Sequence, residues 1–270
     1  MAFRIGFMAE HPVKKETPLA ERAAAETVVP RKSVVQVSFP DCAHPLRYYN
    51  DRFDLREGDR VFVEGSQAGV PGRAVSVTYG FKIKLSEYKR VIAVADTAVK
   101  GELFSAGSHL VSFDPAALPS AQVRGWFLPP EDEEDVVSSG DERSFSLDEL
   151  SKMGATPAIA QRGGDYYEKC LVRYLELSGE RGFAIVEGTK AYEISFELRG
   201  GVVSGLFCSC PCAYTCKHEF AAMLQLRETL EYIEKNCPEA GERGYFAAVE
   251  KGTFFSTVMG GEGTQRITLG

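Results

Sequence analysis

Residues 207–218, FCSCPCAYTCKH, constrain this chain more than any other stretch, because a Cys-x-Cys pair and a Cys-x-His pair fall within eleven positions of each other. Thiolate sulfur and imidazole nitrogen are zinc ligands, and a tetrahedral site takes four of them. Cys208, Cys210, Cys216 and His218 form one complete set, so the spacing predicts one bound zinc ion. Residues 200–207 read as a strand that follows a Gly-Gly turn. Residues two apart on a strand share a face, so Cys208 and Cys210 direct both sulfurs one way. Pro211 turns the chain, and Thr215 is placed as the N-cap of a helix running to about Asn236. Cys216 and His218 diverge inside a regular helix but converge at its irregular first turn, where the helix N-terminus also favours a thiolate. Cys212 is a fifth thiol within the spacer, and it leaves a second ligand set open: Cys210, Cys212, Cys216 and His218. The set with Cys208 is preferred, because the short loop between Cys212 and Cys216 leaves less room to wrap a tetrahedron. Four protein ligands close the coordination sphere that a catalytic zinc keeps open, so no catalytic residue and no enzyme are expected.

The words CSCP at 208–211 and CKH at 216–218, with the apolar run 220–224 opening the next helix, resemble the SWIM zinc finger family of bacterial type. That family's signature is C-x-C, a short spacer and C-x-H. The upstream segments FAIVEG and YEISF, within 182–196, are similar to the strand pair that precedes the motif in its members. The resemblance covers roughly residues 166–235. It implies a small ββα metal module used for binding DNA or protein rather than for catalysis.

The 270 residues are enough for one to two domains. Residues 1–30 read as an N-terminal arm with a short helix in PLAERAAAET. Residues 31–115 read as a small all-β domain: VVQVSF, LRYY, RVFVEG, RAVSVTYGF and RVIAVA are short β-branched or aromatic runs separated by Pro-Asp, Gly-Asp and Pro-Gly turns. Five such strands predict a small β-barrel or a strongly curved sheet. The stretch VSFPD…LRYY…LREGDRVFVEG…GRAVSV weakly resembles the N-terminal DNA-binding domain of primosomal helicases. Residues 116–145 form an acidic linker, where Pro-Pro is followed by five consecutive carboxylates at 131–135. Residues 146–270 make the zinc-finger domain. Within it, Ser146 and Glu149 match a capping box for a helix over 146–153, and 165–177 fits neither helix nor strand period. Residues 182–187 and 191–198 form a hairpin. Phe220, Met223, Leu226, Leu230, Ile233 and Cys237 make the core stripe of the helix. The Gly163-Gly164 pair reads as a turn. Residues 245–250, 253–258 and 265–269 read as strands, the last entered by a glycine-rich turn, giving a C-terminal β hairpin. The fold class expected is α+β.

The net charge is −7, which excludes a protein that coats polyanions over its whole surface. The charge is uneven, however. Residues 31–101 carry twelve Lys or Arg against eight Asp or Glu, a balance of +4 that leaves −11 for the rest. Lys82, Lys84, Lys89 and Arg90, beside Phe81 and Tyr88, are the densest basic and aromatic stretch, as on a nucleic-acid face where cations hold phosphates and rings stack on bases. The plainer reading is a solvated hairpin edge guarded by lysines. Cys42, Cys170 and Cys237 read as small buried apolar residues. No phosphate loop or dinucleotide fingerprint is present, so no small-molecule substrate is expected. No run approaches a membrane span and no export signal is evident, so the cytoplasm is the expected compartment. Two functions follow as expectations: an accessory factor that binds DNA or RNA through Lys82, Lys84, Lys89, Arg90 and Lys217, or an adaptor that docks a helicase or ATPase without touching nucleic acid.

Overall fold

The structure, a computed structural model, describes residues 30–130, 143–241, 243–258 and 267–269. The arm helix and the acidic run 131–142 lie outside the described residues. Contacts divide the chain into two units, Met1–Ala95 and Asp96–Gly270, a boundary earlier than residue 115.

The first unit is a five-stranded antiparallel sheet built from β1 (Ser33–Ser38), β2 (Leu46–Asn50), β3 (Arg60–Val63), β4 (Gly72–Thr78) and β5 (Val91–Val94). The strand order is β2-β1-β4-β3-β5. Strict alternation in β1 sends Val35 and Val37 inward, where Phe39, Tyr48, Leu55, Val61, Val63 and Val91 join them. Gly72 is needed at the mouth of this core, because a Cβ there would stand 2.4 Å from Val37 Cγ1. The ladder does not close into the expected barrel. Its edge strands are β2 and β5, and the isolated bridge between Tyr49 and Arg90, just before β5, does not join them into a ladder, so the sheet is open.

The second unit is one nine-stranded sheet. Its strands are β6 (Gly101–Ala106), β7 (His109–Ser112), β8 (Phe145–Ser146), β9 (Val172–Ser178), β10 (Arg181–Glu187), β11 (Ala191–Arg199), β12 (Val202–Cys208), β13 (Tyr245–Glu250) and β14 (Ile267–Leu269). They are ordered β14-β6-β7-β13-β9-β10-β11-β12-β8, antiparallel except where β14 runs parallel to β6. Five helices accompany them among the described residues: α1 (Ser120–Phe127), α2 (Pro157–Glu168), α3 (Lys217–Asn236), α4 (Pro238–Gly241) and α5 (Lys251–Val258). The stripe on α3 buries Met223, Leu226 and Ile233 against Val172, Ala184, Val186, Ile194 and Phe196 of the sheet. Helix α1 holds the opposite face. Its first N–H, on Ser120, donates to Glu176 of β9 at 2.9 Å, and Arg124 pairs with Glu193 of β11. The α+β class is therefore correct, and the hairpin β10–β11 stands where the pattern put it.

Several local expectations are overturned, each for a visible reason. Residues 146–153 do not make a capping-box helix. Ser146 pairs with Val202, Leu147 N–H donates to Gly201 O at 2.9 Å, and only a 3-10 turn, Leu150–Met153, follows. Gly163 and Gly164 lie inside α2 rather than in a turn, and 165–177 splits into the end of α2 and β9. Residues 253–258 are helical because Glu250 caps them: its carboxylate accepts from the Gly252 and Thr253 N–H groups at 2.7 Å each. The C-terminal strands do not form a hairpin, since β13 pairs with β7 and β9 while β14 pairs with β6. Cys42, Cys170 and Cys237 are half-buried rather than buried.

Candidate metal centre

Strand β12 ends at Cys208, and a bend over 209–211, anchored where Ser209 N–H donates to Glu193 O at 2.8 Å, carries the chain to Cys210. After residues 211–215, Cys216 stands immediately before α3. Thr215 is not the N-cap; its hydroxyl donates to Met153 O at 3.2 Å, and Cys216 caps the helix instead. The Cys216 sulfur accepts from Glu219 N–H at 3.4 Å, while the Glu219 carboxylate accepts from Cys216 N–H at 2.8 Å. This reciprocal pair is a capping box, and it fixes the first turn of α3 so that Cys216 and His218 face one point.

Cys208, Cys210, Cys216 and His218 are all buried, with ligand atoms within 4.8 Å of one another. His218 presents Nδ1, which lies 3.9 Å from Cys208 Sγ and 3.7 Å from Cys216 Sγ. A tetrahedral ion with ordinary zinc bond lengths separates sulfur from nitrogen by roughly 3.6 Å and sulfur from sulfur by about 3.8 Å. The residues therefore fit a tetrahedral metal ion. Cys212 is exposed and outside the cluster, so the geometry assembles the set with Cys208. It is the single such cluster among the described residues.

The electrostatics of the cluster also favour a cation. Cys208 donates to Cys216, and this hydrogen bond, with others from His218 and Glu219 N–H, holds the Cys216 thiol well below the usual range against the cost of burial. The same Cys208–Cys216 bond and burial push Cys208 far up. Burial pushes up Cys210. Crowding three sulfurs in a buried site is a cost that a divalent cation would relieve, since metal binding displaces the thiol protons.

Three residues around the centre escaped sequence reasoning. The imidazole of His218 stacks on Tyr192, with centroids 4.5 Å apart and planes 29° apart, and Tyr166 meets it edge-on at 5.4 Å. Gly188, in the β10–β11 turn, leaves the space behind the ring: a Cβ there would lie 2.8 Å from Tyr192 and 3.0 Å from His218 Nε2. The threonine-proline pair at 156–157, a helix-start signal, would have placed α2 and with it Tyr166.

The predicted nucleic-acid residues are less uniform. Lys82 and Lys89 are exposed. Lys84 pairs with Glu87 at 3.7 Å, and Arg90 is held by Asp51 at 2.6 Å and lies over the Tyr49 ring. Lys217 belongs to the second unit, where its ammonium sits 4.4 Å above the Tyr166 ring. Among the described residues no helix is long and apolar enough to cross a membrane. Compared with protein-family models, curated proteins and solved structures, the chain matches none.

Proposed function

We propose that this chain is a zinc-binding protein with a SWIM-type finger, in which the metal organises a fold rather than a reaction, and that it works as an accessory nucleic-acid-binding factor. One observation carries the metal reading: four buried ligands from a strand end and a helix start converge at tetrahedral spacing. Three thiolates with one imidazole favour zinc over harder ions. The order hairpin, strand with Cys-x-Cys, helix with Cys-x-His supports the SWIM likeness. With every position filled by protein, the site binds no substrate, so the reading is non-catalytic. None of the seven cysteines is paired in a disulfide, which suits the reducing cytoplasm.

Exposed Lys82 and Lys89, close in sequence to Phe81 and Tyr88, support contact with DNA or RNA. The engagement of Lys84 and Arg90 by carboxylates and the exposed Glu231 and Glu234 on α3 favour the second reading, an adaptor for a helicase or ATPase. Metal analysis of protein purified without chelator is expected to give one zinc per chain. Cys212→Ser keeps it and Cys208→Ser loses or weakens it; the reverse result moves the site to the other ligand set. Retention on single-stranded and duplex DNA is expected to fall with salt. Replacing Lys82 and Lys89 by Gln is expected to reduce both the affinity and its salt slope, by up to about 0.9 log units for each phosphate no longer neutralised. No retention at low salt sinks the nucleic-acid reading and leaves the adaptor.

A further inference from the structure

A metal-binding histidine almost always donates its second ring N–H to a carboxylate, carbonyl or water, and that bond fixes which nitrogen meets the metal. His218 departs from this rule. Its Nδ1 faces the sulfurs of Cys208 and Cys216, but its Nε2 is buried with no hydrogen-bond partner among the described residues. Some other force must hold the ring in this orientation.

Packing supplies it. The face of the imidazole lies on Tyr192 and its edge meets Tyr166, so rotation out of plane is blocked on two sides. Both tyrosines are themselves held. The Tyr192 hydroxyl is 2.8 Å from Thr189 Oγ1, and Lys190 lies over its ring at 5.8 Å. Lys217 caps the Tyr166 ring at 4.4 Å. Each cation over a ring face adds attraction that a rotated ring would lose. Gly188 completes the slot, because any side chain there would enter the space that Nε2 and the Tyr192 ring share. Its backbone is not in the left-handed region, so the demand for glycine at this position is steric.

We propose that Tyr192, Tyr166 and Gly188 are positioning residues that make Nδ1, not Nε2, the metal-binding nitrogen of His218, an aromatic slot replacing the usual hydrogen-bonded acceptor. In the loaded protein Nε2 carries the ring proton into an apolar slot and Nδ1 donates its lone pair to the metal. The proposal rests on the metal reading above.

The test uses the full chain loaded with zinc and labelled with nitrogen-15 at histidine. A long-range proton–nitrogen correlation spectrum reports which nitrogen of His218 is protonated and which is metal-bound. The expected result is a metal-bound Nδ1 and a protonated Nε2. In competition with a chromophoric chelator, Gly188→Ala is expected to lower zinc affinity about tenfold or more, in the range of outer-shell changes. Gly164→Ala, where nothing lies within 4 Å of the added carbon, is expected to match the parent. Zinc bound through Nε2, or a Gly188→Ala chain that holds zinc as tightly as the parent, overturns the slot alone. A parent chain that binds no zinc overturns the metal reading and the slot together. The spectrum of the parent needs no variant to fold.

Discussion

His109 is only 1% exposed, and both of its ring nitrogens are engaged. Nε2 lies 2.8 Å from the Val172 carbonyl, which only accepts, so the proton sits there and Nδ1 accepts from the Ser108 hydroxyl at 2.9 Å. Burial lowers its pKa below the ordinary 6.5, outweighing the Val172 bond and the nearby Glu250 and Glu228, while Lys251 acts with burial. The folded chain therefore stays neutral here at a pH where the unfolded chain has begun to bind a proton. Stability from this group is complete above about pH 6.5 and is lost as pH falls toward the folded value, at no more than about 1.4 kcal/mol per pH unit for one proton. Urea unfolding between pH 7.5 and 5 checks this. Because acid also protonates the thiols and imidazole of the candidate metal centre, the difference from His109→Asn isolates the effect: the variant has the flatter profile, and equal slopes in the two chains refute the assignment. Nothing in the sequence marked His109, because its partners are a neighbouring hydroxyl and a carbonyl 63 residues away. The four ligands were legible for the opposite reason. A tetrahedral ion imposes short spacings that survive in sequence, whereas Tyr166, Gly188 and Tyr192 reach the site only through the packing of α2 and a hairpin turn against α3.

At the level of elements, sequence reading succeeded where one local force decided and failed where a tertiary contact overrode it. The β10–β11 hairpin and the α3 stripe have clean periods, and both are present. Residues 253–258 have strand-like composition, yet the Glu250 side chain caps them into α5. In α2 the two adjacent glycines argue against a helix on propensity, but one of them is required by packing. A Cβ at Gly163 would stand 2.7 Å from Phe220 Cβ and 3.0 Å from the Lys217 carbonyl, so α2 crosses α3 closely at this point. At Gly164 nothing lies within 4 Å. Opposite outcomes are expected from the same substitution one residue apart. Gly164→Ala gains helix propensity and stabilises by up to about 1 kcal/mol. Gly163→Ala overpacks the crossing and destabilises by about 1–3 kcal/mol. Denaturant midpoints at constant slope measure both, and a stabilising Gly163→Ala would show that the crossing is looser than the distances imply.

Across the whole molecule, each unit carries its own core: Val35, Val37 and Val61 centre the first, and the α3 stripe on its sheet centres the second. The sequence pattern put β6 and β7, which fall within residues 31–115, with the first unit's strands, because nothing in their short runs sets them apart. Their membership in the second sheet is set by pairing with β13, far along the chain. The candidate metal centre belongs wholly to the second unit, where its three cysteines pack within the same buried cluster as Val172, Ile194 and Met223. A structural zinc contributes roughly 10–16 kcal/mol of apparent binding energy in small fingers, as much as or more than the ~5–15 kcal/mol net stability of a domain. With zinc in the cluster, as proposed above, its removal would leave three thiols and an imidazole crowded together without a cation, and the start of α3 and the end of β12 would lose an anchor. Chelation followed by limited proteolysis is then expected to open cleavage sites across 191–235 while a fragment containing 31–95 persists. Restoring zinc before the protease is added should restore resistance. If both units are digested together after chelation, the first sheet depends on the metal-bound one and the two cores are not independent.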